Sequence, residues 1–142
     1  MRALAMILHL LSGGVDTDLA CVDSHDTCQT DRVPVRVLYA VAAVESGGRP
    51  WARRGRHIGA WQQRSDTAGV HPLALWLPPI QEAVADAHLT ALLARTDGRL
   101  APALAAYRCG WTGAQGACRR TGEAYARRVL RVAQGWRWYD AD

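Results

Sequence analysis

Glutamate is scarce in this chain, which narrows any search for acid–base chemistry. There are three, Glu45, Glu82 and Glu123, against ten aspartates that lie mostly in loops and near the ends. Glu45 follows the apolar run Val41-Ala42-Ala43-Val44 and precedes the small-residue turn Ser46-Gly47-Gly48. An apolar surrounding disfavours the ionised form of a carboxyl group, and that is the condition a general acid needs. Glu82 shares a polar helix face with Asp86 and reads as solvated. Glu123 falls near the start of a helix, where negative charge offsets the helix dipole. Glu45 is thus the candidate acid/base; the competing reading is a solvated glutamate at a helix end.

Other chemistries find less support. The histidines, His9, His25, His57, His71 and His88, form neither H-E-x-x-H nor another spaced pair. No metal site and no cofactor is expected. No G-x-S-x-G, phosphate-binding loop or nucleotide-binding glycine motif occurs. The four cysteines fall in two local pairs, Cys21 with Cys28 and Cys109 with Cys118, and no C-x2-C pair suggests zinc. Disulfides in an oxidising compartment are the expectation, the 109–118 bridge foremost. Four buried thiols are the alternative. The six tryptophans, at 51, 61, 76, 111, 136 and 138, could face sugar rings or serve as ordinary packing.

At 142 residues the chain suits one domain with a real core. With 49% hydrophobic and 21% charged residues it is not an intrinsically disordered composition. No apolar run reaches the roughly 18–20 residues that span a bilayer. All 17 basic side chains are Arg, and the formal net charge is +4. The missing Lys reads either as codon bias or as Arg chosen for planar contacts to phosphate or carboxylate, and the charge fits a polyanionic partner. A recognisable nucleic-acid-reading helix is absent, so no nucleic acid is expected. Residues 1–20 read either as an export leader, with an apolar run interrupted by His9, or as a first helix.

These residues need elements to position them. A helix is expected from Pro34, with Val37, Leu38, Val41, Ala42 and Val44 at helical spacing, ended by Ser46-Gly47-Gly48-Arg49-Pro50. Residues 51–70 lack sustained periodicity and read as a long loop or a small irregular β-like lobe. A helix over residues 80–95 has an apolar stripe of Ile80, Val84, Ala87, Ala91 and Leu92, stopped at Thr96-Asp97-Gly98. A short helix over 100–107, a Gly-rich loop from Cys109 to Cys118, and a last helix over 122–133 complete the chain. The expected class is mainly α, a helical domain with one inserted lobe.

Four segments in order resemble a known family. Val35-Arg36-Val37-Leu38-Tyr39-Ala40-Val41-Ala42-Ala43-Val44-Glu45-Ser46-Gly47-Gly48-Arg49-Pro50 is similar to the helix and Glu-Ser turn of the lytic transglycosylase SLT family, of the lysozyme-like superfamily. Gly59-Ala60-Trp61-Gln62 resembles its Gly-Leu-Met/Phe-Gln segment. Ala103-Leu104-Ala105-Ala106-Tyr107-Arg108-Cys109-Gly110 resembles Ala-Ala-Tyr-Asn-Ala-Gly, with Arg108 in place of Asn. Thr121-Gly122-Glu123-Ala124-Tyr125-Ala126-Arg127-Arg128-Val129-Leu130 resembles the Glu-Thr-x-x-Tyr-Val-x-x-Val-Leu helix. The likeness spans about residues 30–133 of the chain.

That resemblance implies an α+β lysozyme-like fold, in a single domain over residues 21–142. It implies cleavage of the MurNAc–GlcNAc β-1,4 bond of peptidoglycan, with a 1,6-anhydro product. Glu45 would be the acid/base and Ser46 would position it or the substrate. Gln62 would bind the sugar, Tyr107 would line the cleft, and Tyr125 would hydrogen-bond near the catalytic carboxyl. Arg53, Arg54 and Arg56 could rest against peptide carboxylates or wall polyanions. If Asp66 held a water opposite Glu45, a hydrolytic muramidase would result. An inactive wall-binding or secretion-apparatus protein is the remaining alternative. The expected setting is a monomer in the periplasm or outside the cell, or on a virion, acting on glycan strands.

Overall fold

Proline and glycine set the limits of the helix that carries Glu45. The computed structural model describes residues 29–135. Helix α1 runs Val35–Ser46 behind Pro34 and stops at Gly47, whose φ of 68° is left-handed. The amides of Gly47 and Gly48 close back onto the carbonyls of Ala43 and Ala42 at 2.9 and 3.0 Å, a left-handed glycine termination. Val37 and Val41 are fully buried on this helix, as are Leu104 and Val129 on later ones. The core therefore forms around α1.

The segment after α1 is a small antiparallel lobe. Strands β1 (Arg53–Arg54), β2 (His57–Ile58) and β3 (Gln63–Arg64) form one sheet in the order β1-β2-β3. Arg54 pairs with His57 across a two-residue turn, and Ile58 pairs with Gln63. A one-turn helix α2 (Ser65–Ala68) and a 3-10 turn (Ala74–Trp76) lead into α3 (Pro78–Arg95), whose two prolines occupy positions where no amide partner is needed.

The buried face of α3 departs from the expected stripe. Gln81, Ala85, Leu89, Leu92 and Leu93 point inward, whereas Ala87 and Ala91 are exposed. Only Leu92 belongs to both sets. The face is rotated because it includes a polar residue, Gln81, which is 1% exposed. Glu82 is not simply solvated either: it accepts a hydrogen bond from the Tyr39 hydroxyl at 3.1 Å.

Helices α4 (Leu100–Cys109) and α6 (Arg119–Gly135) pack tightly because small residues meet. A Cβ on Gly122 would lie 3.1 Å from the Ala105 Cβ and 3.2 Å from the Cys109 Sγ. The expected loop between Cys109 and Cys118 contains a short helix, α5 (Trp111–Gln115). Its Trp111 ring is covered by the Arg95 guanidinium at 3.9 Å. Since α6 begins at Arg119, not at 122, Glu123 is past the first turn and pairs with Arg119 at 3.0 Å.

Cys109 and Cys118 form a disulfide that joins the end of α4 to the start of α6. Cys21, Cys28, the 1–20 segment and the tryptophans at 136 and 138 lie outside the described residues. The described chain is mainly helical with a small antiparallel sheet. No helix in it is long and apolar enough to cross a membrane. Replacing both Cys109 and Cys118 by Ser should cost about 2–3 kcal/mol, the chain-entropy expectation for so short a loop, measured by urea unfolding against the oxidised protein.

Candidate active site

The glycine stop leaves Glu45 in the last turn of α1, 8% exposed. Its neighbour Ser46 faces inward. The Ser46 hydroxyl donates to the Ala60 carbonyl at 2.8 Å and to Ala42 at 3.3 Å, and accepts the Arg49 amide at 3.0 Å. Ser46 thereby ties the end of α1 to the Gly59–Gln62 segment. All the partners of its hydroxyl are backbone groups.

That segment is irregular and buried, so its polar backbone groups need partners. The Ala60 amide donates to Gln81 Oε1 at 2.9 Å, and Gln81 Nε2 donates to the Pro50 carbonyl at 2.9 Å. The Trp61 carbonyl accepts from the Tyr107 hydroxyl at 2.8 Å. Trp61 itself is core: its indole N–H donates to the Leu38 carbonyl of α1 at 2.7 Å. Gln63 Nε2 donates in turn to the Tyr107 hydroxyl. Gly59 is needed here twice over. Its φ is +85°, and a Cβ would lie 2.3 Å from the Gln81 side-chain carbon.

Gln62 is a non-glycine residue at φ 51°. Its Nε2 donates to the Gly59 and Ala52 carbonyls at 2.8 and 3.4 Å. Only the NH2 end can donate to a carbonyl, so this fixes the amide orientation. Among the described residues Gln62 Oε1 is enclosed without a partner, an unused acceptor at the cleft.

A cleft of about 100 Å³ joins these parts. Glu45, Gln62 and Tyr107 line it with Arg54, His57 and Arg108. Glu45 is the only carboxylate among the described lining residues. Burial first, then the Glu45 charge, pushes the Tyr107 phenol well above its ordinary pKa. Burial first, then the Glu45 charge, raise the Tyr125 phenol too, and its buried hydroxyl approaches the Glu45 carboxyl closely enough for a hydrogen bond to add to the shift. Both phenols remain protonated donors.

Of the residues expected from sequence, Glu45, Gln62 and Tyr107 meet at the cleft. Tyr125 is buried close enough to feel the Glu45 charge, and Ser46 stands behind it. Asp66 does not line the cleft. It is exposed and held by Arg64 at 2.5 and 3.0 Å. Arg54 was expected only as part of a basic run against wall carboxylates, and His57, Gln63 and Gln81 were not singled out by sequence reasoning. Gln81 had a legible signal, a polar residue four before Ala85 and eight before Leu89. A larger groove of about 450 Å³, beside Gln29, Leu93 and Asp97, contains none of the candidate residues.

Comparisons with protein-family models, curated proteins and solved structures found no match. Two outcomes are expected from the site itself. Gln81→Leu strands the Ala60 amide and Pro50 carbonyl, and should destabilise the fold by about 1–3 kcal/mol for each group left unpaired, read by urea unfolding. Asp66 is lowered from 3.8 to about 2, chiefly by the hydrogen bond from Arg64. The stabilisation that accompanies this shift is fully present above the unfolded value and lost as pH falls through about 2. Carboxyl NMR should find that midpoint, and Arg64→Gln should return it towards 3.8.

Proposed function

We propose that this chain is a peptidoglycan lytic transglycosylase with a lysozyme-like framework and Glu45 as its one acid/base. The observation that carries the reading is convergence. Glu45 from α1, Gln62 from the irregular segment and Tyr107 from α4 are far apart in sequence and line one cleft. They are the residues that the family resemblance singles out.

In this reading Glu45, protonated, gives its proton to the glycosidic oxygen as the bond to the muramic C1 breaks. The substrate's own N-acetyl group supports the electron-poor C1, a recognised exception to the two-carboxylate scheme. Glu45, now ionised, takes the proton of the sugar's 6-hydroxyl as that oxygen bonds to C1. No water is consumed, and the proton returns to Glu45 for the next cycle. Gln62 Oε1 accepts a sugar or acetamido N–H or O–H. Tyr125, protonated, offers a donor to the developing Glu45 carboxylate, while Tyr107, whose proton is held by the Trp61 carbonyl, shapes the cleft beside it.

The arrangement favours this over a hydrolytic muramidase. A hydrolase of the two-carboxylate kind needs a second carboxylate to activate water or act as nucleophile. The sequence candidate for that part, Asp66, is held by Arg64 and is absent from the cleft lining. A non-catalytic wall-binding protein is a second reading, favoured by Arg108, which lines the cleft where the family carries Asn. The disulfide suits an oxidising envelope or extracellular setting.

Purified peptidoglycan incubated with the wild type should release anhydro-ended muropeptides, identified by mass spectrometry. Glu45→Gln should lower that release at least about 100-fold while keeping the fold and wall binding. Reducing-ended products would favour the muramidase. Retained binding with no turnover by a folded wild type would favour the binding protein. Full activity in Glu45→Gln would refute the assignment.

A further inference from the structure

The cleft has more positive charge than its one carboxylate can balance. Arg54 and Arg108 line it together with Glu45 and His57. Neither guanidinium has a carboxylate within ion-pair distance among the described residues, where the ion pairs are Arg64–Asp66 and Arg119–Glu123. Arg108 reaches only the face of Tyr125, at 6.0 Å. The backbone explains why these side chains converge. Arg54 and His57 are direct partners across the Gly55–Arg56 turn, so both lie on one face of the hairpin. His57 Nδ1 also contacts the Arg54 carbonyl at 3.3 Å. Arg108 approaches from the last turn of α4, where a cation is favoured by the helix dipole.

We infer that Arg54 and Arg108 form a carboxylate-binding subsite, which makes this cleft selective for an anionic glycan over a neutral β-1,4-linked N-acetylglucosamine polymer. The inference rests on the transglycosylase reading and sharpens its substrate class. Arginine presents a planar fork of donors that matches a carboxylate in two parallel hydrogen bonds. In peptidoglycan the anion is either the lactyl carboxylate of a peptide-free muramic acid or a carboxylate of the attached peptide. A neutral polymer would bring no carboxylate to the two guanidinium groups, which share the cleft lining with the single carboxylate of Glu45. Arg53 and Arg56, although in the same run, are not part of the subsite: neither lines the cleft.

The probe is the disaccharide GlcNAc-MurNAc, which lacks the scissile MurNAc–GlcNAc bond and so reports binding without turnover. It is used peptide-free and with an attached dipeptide, each beside a copy whose carboxylates have been converted to amides. Affinity for the full chain is measured by titration calorimetry, and in the wild type the Nε–Hε NMR signals of Arg54 and Arg108, assigned with Arg54→Gln and Arg108→Asn, locate the bound carboxylate. Amidation is expected to weaken wild-type binding by about 10- to 100-fold, the usual worth of a charge-assisted pair. The double variant should bind the carboxylated form that much more weakly and lose little more on amidation. Arg54→Lys and Arg108→Lys should restore part of the selectivity, which separates charge from folding. Comparing the two carboxylated forms identifies which carboxylate is read. Equal wild-type binding of the acid and amide forms would overturn the subsite, as would a double variant that stays as sensitive to amidation. Anhydro-product release from peptidoglycan is scored separately. Selective binding with no release would overturn the catalytic reading and leave the subsite standing; equal release from acid and amidated strands would do the reverse.

Discussion

Irregular backbone can be buried only if side chains or water take over the hydrogen bonds that a helix or sheet would have made. In this protein that demand falls on the few residues after Gly59, and three parts of the chain meet it. Ser46 takes the Ala60 carbonyl, Gln81 the Ala60 amide and Tyr107 the Trp61 carbonyl. These contacts link the end of α1, the first turn of α3 and the end of α4. The cleft exists because they hold there. Each such bond contributes about 1 kcal/mol net, but leaving a buried partner unmet costs about 1–3 kcal/mol, so the set is kept together mainly by what its loss would expose.

Packing and site chemistry are therefore hard to separate. Trp61 fills the core beside α1, yet its carbonyl holds Tyr107, which lines the cleft. The close crossing at Gly122 and Ala105 brings Tyr125 of α6 near Glu45 of α1. The Cys109–Cys118 bond fastens the helix end that bears Tyr107 and Arg108. Residues with no claim on catalysis thus determine how the cleft-lining residues face one another.

Much of this was legible in the residues. Val35–Ser46 was readable because Pro34 and the Gly47-Gly48 pair mark its ends and its apolar spacing is regular. The lobe after it was readable only as an absence of periodicity, since strands of two residues carry no alternation. The pairing of Arg54 with His57 was hidden for the same reason: it is a property of the hairpin, not of either residue. Helix α5 escaped because five residues with a glycine in the middle give no helical pattern. The phase of α3 was misjudged because a hydrophobic stripe was sought through Ile80, whereas the buried position belongs to Gln81. Glu45 stood out by scarcity and surroundings. The likeness of four short segments named its companions, and their meeting at one cleft required the fold.

The contact between Gly59 and Gln81 carries an evolutionary consequence. Two separate obstacles keep a side chain off position 59, the Gln81 amide and a φ of +85°. Shortening residue 81 removes the first and leaves the second. The two positions are consequently epistatic in either order: a change at 81 lessens the harm of a later change at 59 without making it neutral, and a change at 59 made first, by displacing the side chain that satisfies Ala60 and Pro50, lessens the harm of a later change at 81. Either single change is a costly intermediate, and the costs of the two changes will not add.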